Sequence, residues 1–256
     1  MNQLKVMSFN LRFETEKDGI NAFSKRYGRV INVINAEQPD LIGFQEVTPF
    51  MRDILRAHLP DYTLQGCGRA ADCSGESMLI GYRTNETELI SLENFWLSKT
   101  PSIPGSRYGG DQSKCPRMAI SALLMLKQHK RIVRIVNTHL DHQGANARYL
   151  GSVQLMQHLS HHNEPFFLTG DFNALPSAPE IRIFTETPLS RPIYDCTHSL
   201  KGTWHGYSTT KEAVKIDYIF SNIPCQNAYI VPDEPINGQF YSDHNAVCAL
   251  FDPTDL

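Results

Sequence analysis

The sequence predicts an α/β domain in which strands form two packed sheets with helices outside them. Three observations predict it. The chain opens as strand, helix, strand, helix; short strands then dominate the middle; and no repeat, linker or low-complexity tract interrupts the 256 residues. A chain of this length can fill one large domain with a substantial core, and mixed strands and helices bury their apolar faces most simply as layers.

The elements follow in order. Residues 4–9 read as a strand. Residues 27–36 place apolar side chains at Tyr27, Val30, Ile31 and Ile34, which is helix spacing, and Gln38-Pro39 ends the run. Residues 41–44 form a short buried strand, and 48–59 a second helix with Thr48 as N-cap and Pro49 in its first turn. Strands follow over 77–82 and 88–97. The stretch 99–117 is rich in Pro, Gly and Ser and reads as a long surface loop, a feature often tied to function. Then come strands over 118–126 and 132–137, a helix over 145–160, and strands over 166–169, 215–220 and 246–251.

Composition narrows the function classes. The formal net charge is −3, without the basic excess expected of a tight non-specific nucleic-acid binder. Of the six cysteines none lie in a CxxC pair, so free thiols are expected, with a Cys67–Cys73 bridge as the alternative. The N-terminus lacks the apolar core of a signal peptide, and no run approaches the ~18 apolar residues of a membrane span. A cytoplasmic protein with no membrane insertion and no obligate protein partner is the expectation.

The functional signal lies at the strand ends. The strand at 4–9 runs into Asn10 and Arg12, 41–44 into Gln45 and Glu46, and 132–137 into His139. The strand at 166–169 runs into Asp171 and Asn173, Lys215-Ile216 leads into Asp217, and Ser242-Asp243-His244 precedes the last strand. A lone Asp or Asn after a strand is usually a turn residue. Six such endings together point to one shared site, because in α/β folds ligands gather where strand ends converge.

The residue types specify the chemistry. Glu46, Asp171 and Asp243 are hard oxygen donors without a cysteine set, which suits Mg²⁺ or Mn²⁺. Asn10 and Asn173 add neutral groups that can hold a phosphate oxygen. His139 and His244 suit proton transfer near neutral pH, and Asp217 or Glu76 could each orient one imidazole. Together they describe in-line attack of water on a phosphoryl group.

The motifs Ser8-Phe9-Asn10-Leu11-Arg12, Gln45-Glu46-Val47, Asn137-Thr138-His139-Leu140, Gly170-Asp171-Phe172-Asn173, Ile216-Asp217-Tyr218-Ile219 and Ser242-Asp243-His244 resemble, in this order, the endonuclease/exonuclease/phosphatase superfamily. The resemblance spans residues 8–244. It implies a four-layer α/β sandwich, two mixed sheets flanked by helices, with the site where the sheets meet. It implies Glu46 as principal Mg²⁺ ligand with Asn10 and Asp243 nearby, and Asp171 and Asn173 orienting the attacking water. It further implies His244 held by Asp217 as an acid/base or phosphate-binding residue, and His139, paired with Glu76, as the second histidine of the deoxyribonuclease and sphingomyelinase branches. Phe95-Trp96-Leu97-Ser98 with Thr100-Pro101 resembles a bacterial subgroup of the superfamily.

Three further residues are substrate-contact candidates. Arg12 reads equally as a phosphate contact or a surface ion pair. Arg117, beside the long loop, reads as a phosphate contact. Trp204 could stack on a base or pack under its loop. The expected activity is a metal-dependent phosphoesterase acting on a phosphodiester or phosphomonoester in nucleic acid or a nucleotide-like substrate. A phospholipid or sugar-phosphate phosphatase, or a catalytically silent binding module on the same fold, is the alternative. The polar 102–114 stretch speaks against membrane docking, and the intact set of carboxylates and histidines against a silent module.

Overall fold

The computed structural model describes residues 3–187 and 191–256. Six strands make each of two sheets. The first contains β1 (Leu4–Asn10), β2 (Leu41–Val47), β3 (Tyr62–Gly68), β4 (Ser77–Arg83), β11 (Asn227–Ile230) and β12 (Val247–Phe251), in the order β11-β12-β1-β2-β4-β3. The second contains β5 (Thr87–Trp96), β6 (Met118–Leu126), β7 (Arg131–His139), β8 (Phe166–Asp171), β9 (Tyr194–Asp195) and β10 (Asp217–Ser221), in the order β5-β6-β7-β8-β10-β9.

Each sheet holds one parallel pair, β1 with β2 and β7 with β8. A parallel pair needs a crossover, and a helix supplies each one: α1 (Phe23–Glu37) in the first sheet and α3 (Ala145–Ser160) in the second. The helices α2 (Pro49–His58) and α4 (Pro179–Glu186) follow β2 and β8.

Alternation along the strands builds the layers. In β1, Leu4 and Val6 face the other sheet, packing in one core with Ile120, Ile135, Phe167 and Ile219. Met7 and Phe9 face outward onto Val30 and Ile34 of α1 and Met51 and Leu55 of α2. On the second sheet Val136, Leu168 and Phe220 face outward onto Leu155 of α3 and Phe184 of α4. The result is the four-layer sandwich, helix–sheet–sheet–helix.

The inward faces do not stay apolar. Past the apolar layer each strand offers a small polar side chain: Ser8, Gln45, Asn137 and Thr169, all buried. Asn137 Nδ2 donates to the carbonyls of Phe44 and Leu79 across the sandwich at 2.7 and 3.0 Å, and its Oδ1 accepts from Gln45 Nε2 at 2.7 Å. The sheets approach closely enough here that a Cβ on Gly43 would lie 2.0 Å from Thr169 Oγ1, so only glycine fits.

Several expectations need correction. The helix α1 starts four residues before residue 27, at Phe23, and the strand expected at 215–220 starts at Asp217, because Lys215 turns back to Asp195 and the carbonyl of Thr197. The stretch 99–117 is not simply a surface loop. Gln112, Ser113 and Arg117 are buried, and Asp111 accepts from the amides of Asn146 and Ala147, capping α3 from outside it. The short elements α4, β9 and β11 carry too few residues for a periodic signal and were not expected from the sequence. Cys67 and Cys73 are free thiols, not a bridge.

Replacing Asn137 by Ala should lower unfolding free energy by about 3 kcal/mol, because two buried carbonyls lose its amide nitrogen and Gln45 loses its shortest acceptor at once. Denaturant unfolding monitored by circular dichroism checks this; a loss under about 1 kcal/mol would mean that the polar layer is not a structural tie.

Candidate active site

One step further along the same inward faces, the polar layer gives way to acids and imidazoles. Strand register puts His139 beside Asp171 and Asp171 beside Asp217, so β7, β8 and β10 present the three in one row. Asn10 extends the inward face of β1. Glu46 is the exception to the pattern. Leu41, Gly43 and Gln45 point inward, so strict alternation would turn Glu46 outward. A register shift between Phe44 and Val47, with Glu46 on left-handed backbone (φ 63°), brings its carboxylate to the cleft instead. Arg12 (φ 52°) and Asn173 (φ 49°) are also left-handed. Such strain persists only where surrounding structure enforces it, and it gathers at functional sites.

These side chains hold one another. Asn10 Nδ2 donates to Asp171 Oδ2 at 2.9 Å and to Glu46 Oε1 at 3.3 Å, while its own oxygen accepts from the Arg12 amide at 2.9 Å. Glu46 Oε2 accepts from the Phe13 amide at 3.0 Å. Asp217 Oδ2 lies 2.9 Å from His244 Nδ1, and the other ring nitrogen faces Asp171 Oδ2 at 3.7 Å and Asp243 Oδ1 at 4.0 Å. Asn173 Nδ2 donates to the Leu140 carbonyl, which fixes it as the nitrogen, and also to His139 Nε2 at 3.0 Å. That nitrogen is therefore the acceptor of the His139 ring.

The two imidazoles carry different charge. Burial alone would lower His244, but Asp217, then Asp243 and Asp171, outweigh it and lift it to about 10. Burial pushes His139 well below the usual range, and Arg117 and Arg69 push it further. Burial, then Asp217, raises Asp171. At neutral pH His244 is the imidazolium and His139 the neutral ring.

The cleft they line holds about 560 Å³. The acidic set fits a divalent cation: Glu46, His139 and Asp171 each offer a ligand atom, all within 4.8 Å of one another, and buried Asp243 Oδ1 has no hydrogen-bond donor among the described residues. Oxygen donors outnumber the single imidazole, which favours Mg²⁺ or Mn²⁺ over zinc.

Other candidates sit as follows. Arg12 pairs with Asp18 at 2.9 Å, the ion pair read from the sequence, and also lines the cleft. Trp204 lines it too, 40% exposed, with Nε1 3.4 Å from Asp243 Oδ2. Arg117 is buried at its rim. Glu76 does not orient His139: it pairs with Arg69 at 2.5 Å, a cation outcompeting a neutral ring, and His139 Nδ1 has no partner among the described residues.

Sequence reasoning missed four residues. Arg69 and His142 line the cleft. Asp141 Oδ1 accepts from the amides of Ser113, Gln143 and Gly144, and Oδ2 accepts from the Ser113 hydroxyl. Arg26, fully buried on α1, donates to the carbonyls of Asn21, Leu11, Arg12 and Tyr241, tying the segment after β1 to the one before His244. An arginine one residue before the apolar stripe of a helix was the only available signal, and it is a weak one.

The match to known proteins agrees with this geometry. The model of the Endonuclease/Exonuclease/phosphatase family matches residues 7–244. The chain belongs to that family. An endonuclease/exonuclease/phosphatase from Bacteroides vulgatus superposes with a TM-score of 0.90 at 27% identity, over 98% of this chain and 99% of that one. A functionally unknown conserved protein from Enterococcus faecalis gives 0.85 at 30% identity, over 96% and 98%. A mannosyl-6-phosphatase from Bacteroides thetaiotaomicron shares the fold, with a TM-score of 0.88 at 24% identity over 97% of this chain and 100% of that one.

Asp141 supplies a pH-dependent prediction. Burial alone would raise its carboxyl, but the Gly144, Ser113 and Gln143 donors outweigh it and hold it at about 2. A depressed carboxyl stabilises the fold above its unfolded value of about 4, and that stability is lost as pH falls toward 2. His142 and Gln143 beside it are exposed, so solvent screens part of the effect. Asp141→Asn should cost about 1–2 kcal/mol at pH 7 and progressively less below about pH 4. Urea unfolding at both pH values checks it; an equal deficit at both would assign the loss to geometry rather than charge.

Proposed function

We propose that the protein is a divalent-metal-dependent phosphoester hydrolase acting on a nucleotide-like ester or the end of a nucleic-acid strand. One observation carries the reading: Glu46, Asp171 and Asp243 converge on a single cleft with a charged His244–Asp217 pair and a neutral His139. A cleft of 560 Å³ suits a small ester or a strand end better than the interior of a duplex.

Glu46, Asp171 and Asp243 would hold the cation, which when bound polarises the phosphoryl oxygens and offsets their charge. The remaining steps belong to the chain itself. Asn10 orients the carboxylates of Asp171 and Glu46 through its side-chain amide, and Asn173 holds Asp171 through its backbone amide and His139 through its side chain. The carboxylate of Asp171 accepts from the attacking water and positions it, while His139 Nε2, 3.4 Å away, accepts from Asn173 and holds that side chain in place. His244, kept protonated by Asp217, presents its other ring nitrogen to the cleft. There it stabilises charge gathering on the phosphoryl oxygens and supplies a proton toward the departing one. Trp204, half-exposed in the cleft lining, offers a ring face to a base or sugar.

Hydrolysis of p-nitrophenyl phosphate and bis-p-nitrophenyl phosphate should require Mg²⁺ or Mn²⁺ and stop with EDTA. Glu46→Gln should lower the rate on the order of 100-fold or more with the fold intact. Folded protein that turns over no ester with either metal would support a binding module instead. A panel of nucleotides, oligonucleotides and sugar phosphates then ranks the substrates.

A further inference from the structure

The cleft is chemically two-sided, and its second side is unused by the hydrolytic groups. Arg69 follows β3 and Arg117 precedes β6. The strand order places β3 two strands beyond β2, so the Arg69 backbone sits roughly 10 Å to the side of Glu46 at the usual strand spacing. His142, after β7, lines the cleft beside Arg117.

This flank is built but unsaturated. Arg117 is only 4% exposed, yet its Nε and Nη1 have no acceptor among the described residues, nor has Nη1 of Arg69. Asp141 lies 3.6 Å from Arg117 Nε, beyond hydrogen-bond reach, because its oxygens are turned to the Ser113, Gln143 and Gly144 donors. Asp141 thus offsets the charge of Arg117 without using its donors. Arg117 Nη2 lies 2.9 Å from His142 Nδ1. A guanidinium cannot accept, so Nδ1 accepts and Nε2 of the neutral ring carries the proton. Buried donors in a protein are almost always paired, and a guanidinium fork fits a phosphate or carboxylate.

We propose that Arg69, Arg117 and His142 form a subsite for a second anionic group on the substrate, a phosphate or carboxylate carried by the alcohol half of the ester. The inference rests on the hydrolase reading and narrows its substrate class to esters with a further acidic group beyond the one cleaved.

Two measurements test it. The first is titration with inorganic phosphate in EDTA, followed by calorimetry. Without metal the carboxylate side repels anions, so binding reports the cationic flank. Arg117→Gln and, independently, the more accessible Arg69→Gln should each weaken phosphate binding about tenfold or more, the scale of one charge-assisted hydrogen bond. The second compares KM with Mg²⁺ for adenosine 3′,5′-bisphosphate against adenosine 5′-monophosphate, and for 4-carboxyphenyl phosphate against phenyl phosphate. The first pair tests phosphate as the second anion and the second tests carboxylate. At least one doubly acidic ester should have a lower KM in the wild type, an advantage lost in Arg117→Gln and partly restored in Arg117→Lys. Turnover without preference for either doubly acidic ester overturns the subsite and leaves the hydrolase standing. Absence of all turnover removes the hydrolase reading and leaves the subsite to the phosphate titration, where equal binding by wild type and both variants overturns it.

Discussion

The side-chain amide of Asn137 ties the two sheets together directly beneath the cleft. Its nitrogen takes the carbonyls of Phe44 and Leu79, which face each other as the last pair before the β2–β4 ladder shifts register. That shift frees Glu46 from the outward direction that alternation would give it. The same amide therefore satisfies backbone groups beside the bulge and fixes the distance between the sheet that carries Glu46 and the sheet that carries His139 and Asp171. Buried polar groups cost stability unless every partner is present. Here Gln45 and Thr169 donate to Asn137 Oδ1, so both ends of the Asn137 amide are paired.

The inward faces grade from hydrocarbon to amide and hydroxyl to acid and imidazole. On β7 the sequence is Val133, Ile135, Asn137, His139; on β8 it is Phe167, Thr169, Asp171. The apolar end drives the sheets together, and the ionisable end would drive them apart. Stacking carboxylates straight onto a hydrophobic core would leave them desolvated and mutually repelling. The amide layer between supplies hydrogen bonds to both neighbours and lets the sandwich open into a cleft without exposing its core.

Much of this could be read from the sequence, and the limits have physical causes. Strand ends such as Asn10, His139, Asp171 and Asp217 were legible because each extends a period-2 face, and Thr48 was legible as a helix cap because its side chain accepts from the Met51 amide three residues on. The direction of Glu46 was not legible, since a bulge breaks the alternation that would announce it. Glu76 was given to His139 by motif analogy, whereas its position beside Arg69 depends on a turn between β3 and β4 that the sequence does not specify. Arg26 and His142 act through backbone carbonyls and a neighbouring guanidinium, contacts that leave no pattern along the chain.

The net charge of −3 weighed against a tight non-specific nucleic-acid binder, yet the fold sorts charge locally. Glu46 and Asp171 come from β2 and β8 and Asp243 from the loop before β12, all toward the middle of the sandwich, and Arg69 and Arg117 from beside β3 and β6 toward one flank. A substrate in the cleft therefore meets a field set by strand order rather than by the sum over the surface. Burial strengthens that field, because water that would screen it is excluded from the walls. The two arginines also lower His139, which keeps its Nε2 an acceptor beside Asp171. The arginines on one flank thus act on the imidazole of the other, and the two halves of the cleft are electrostatically one device.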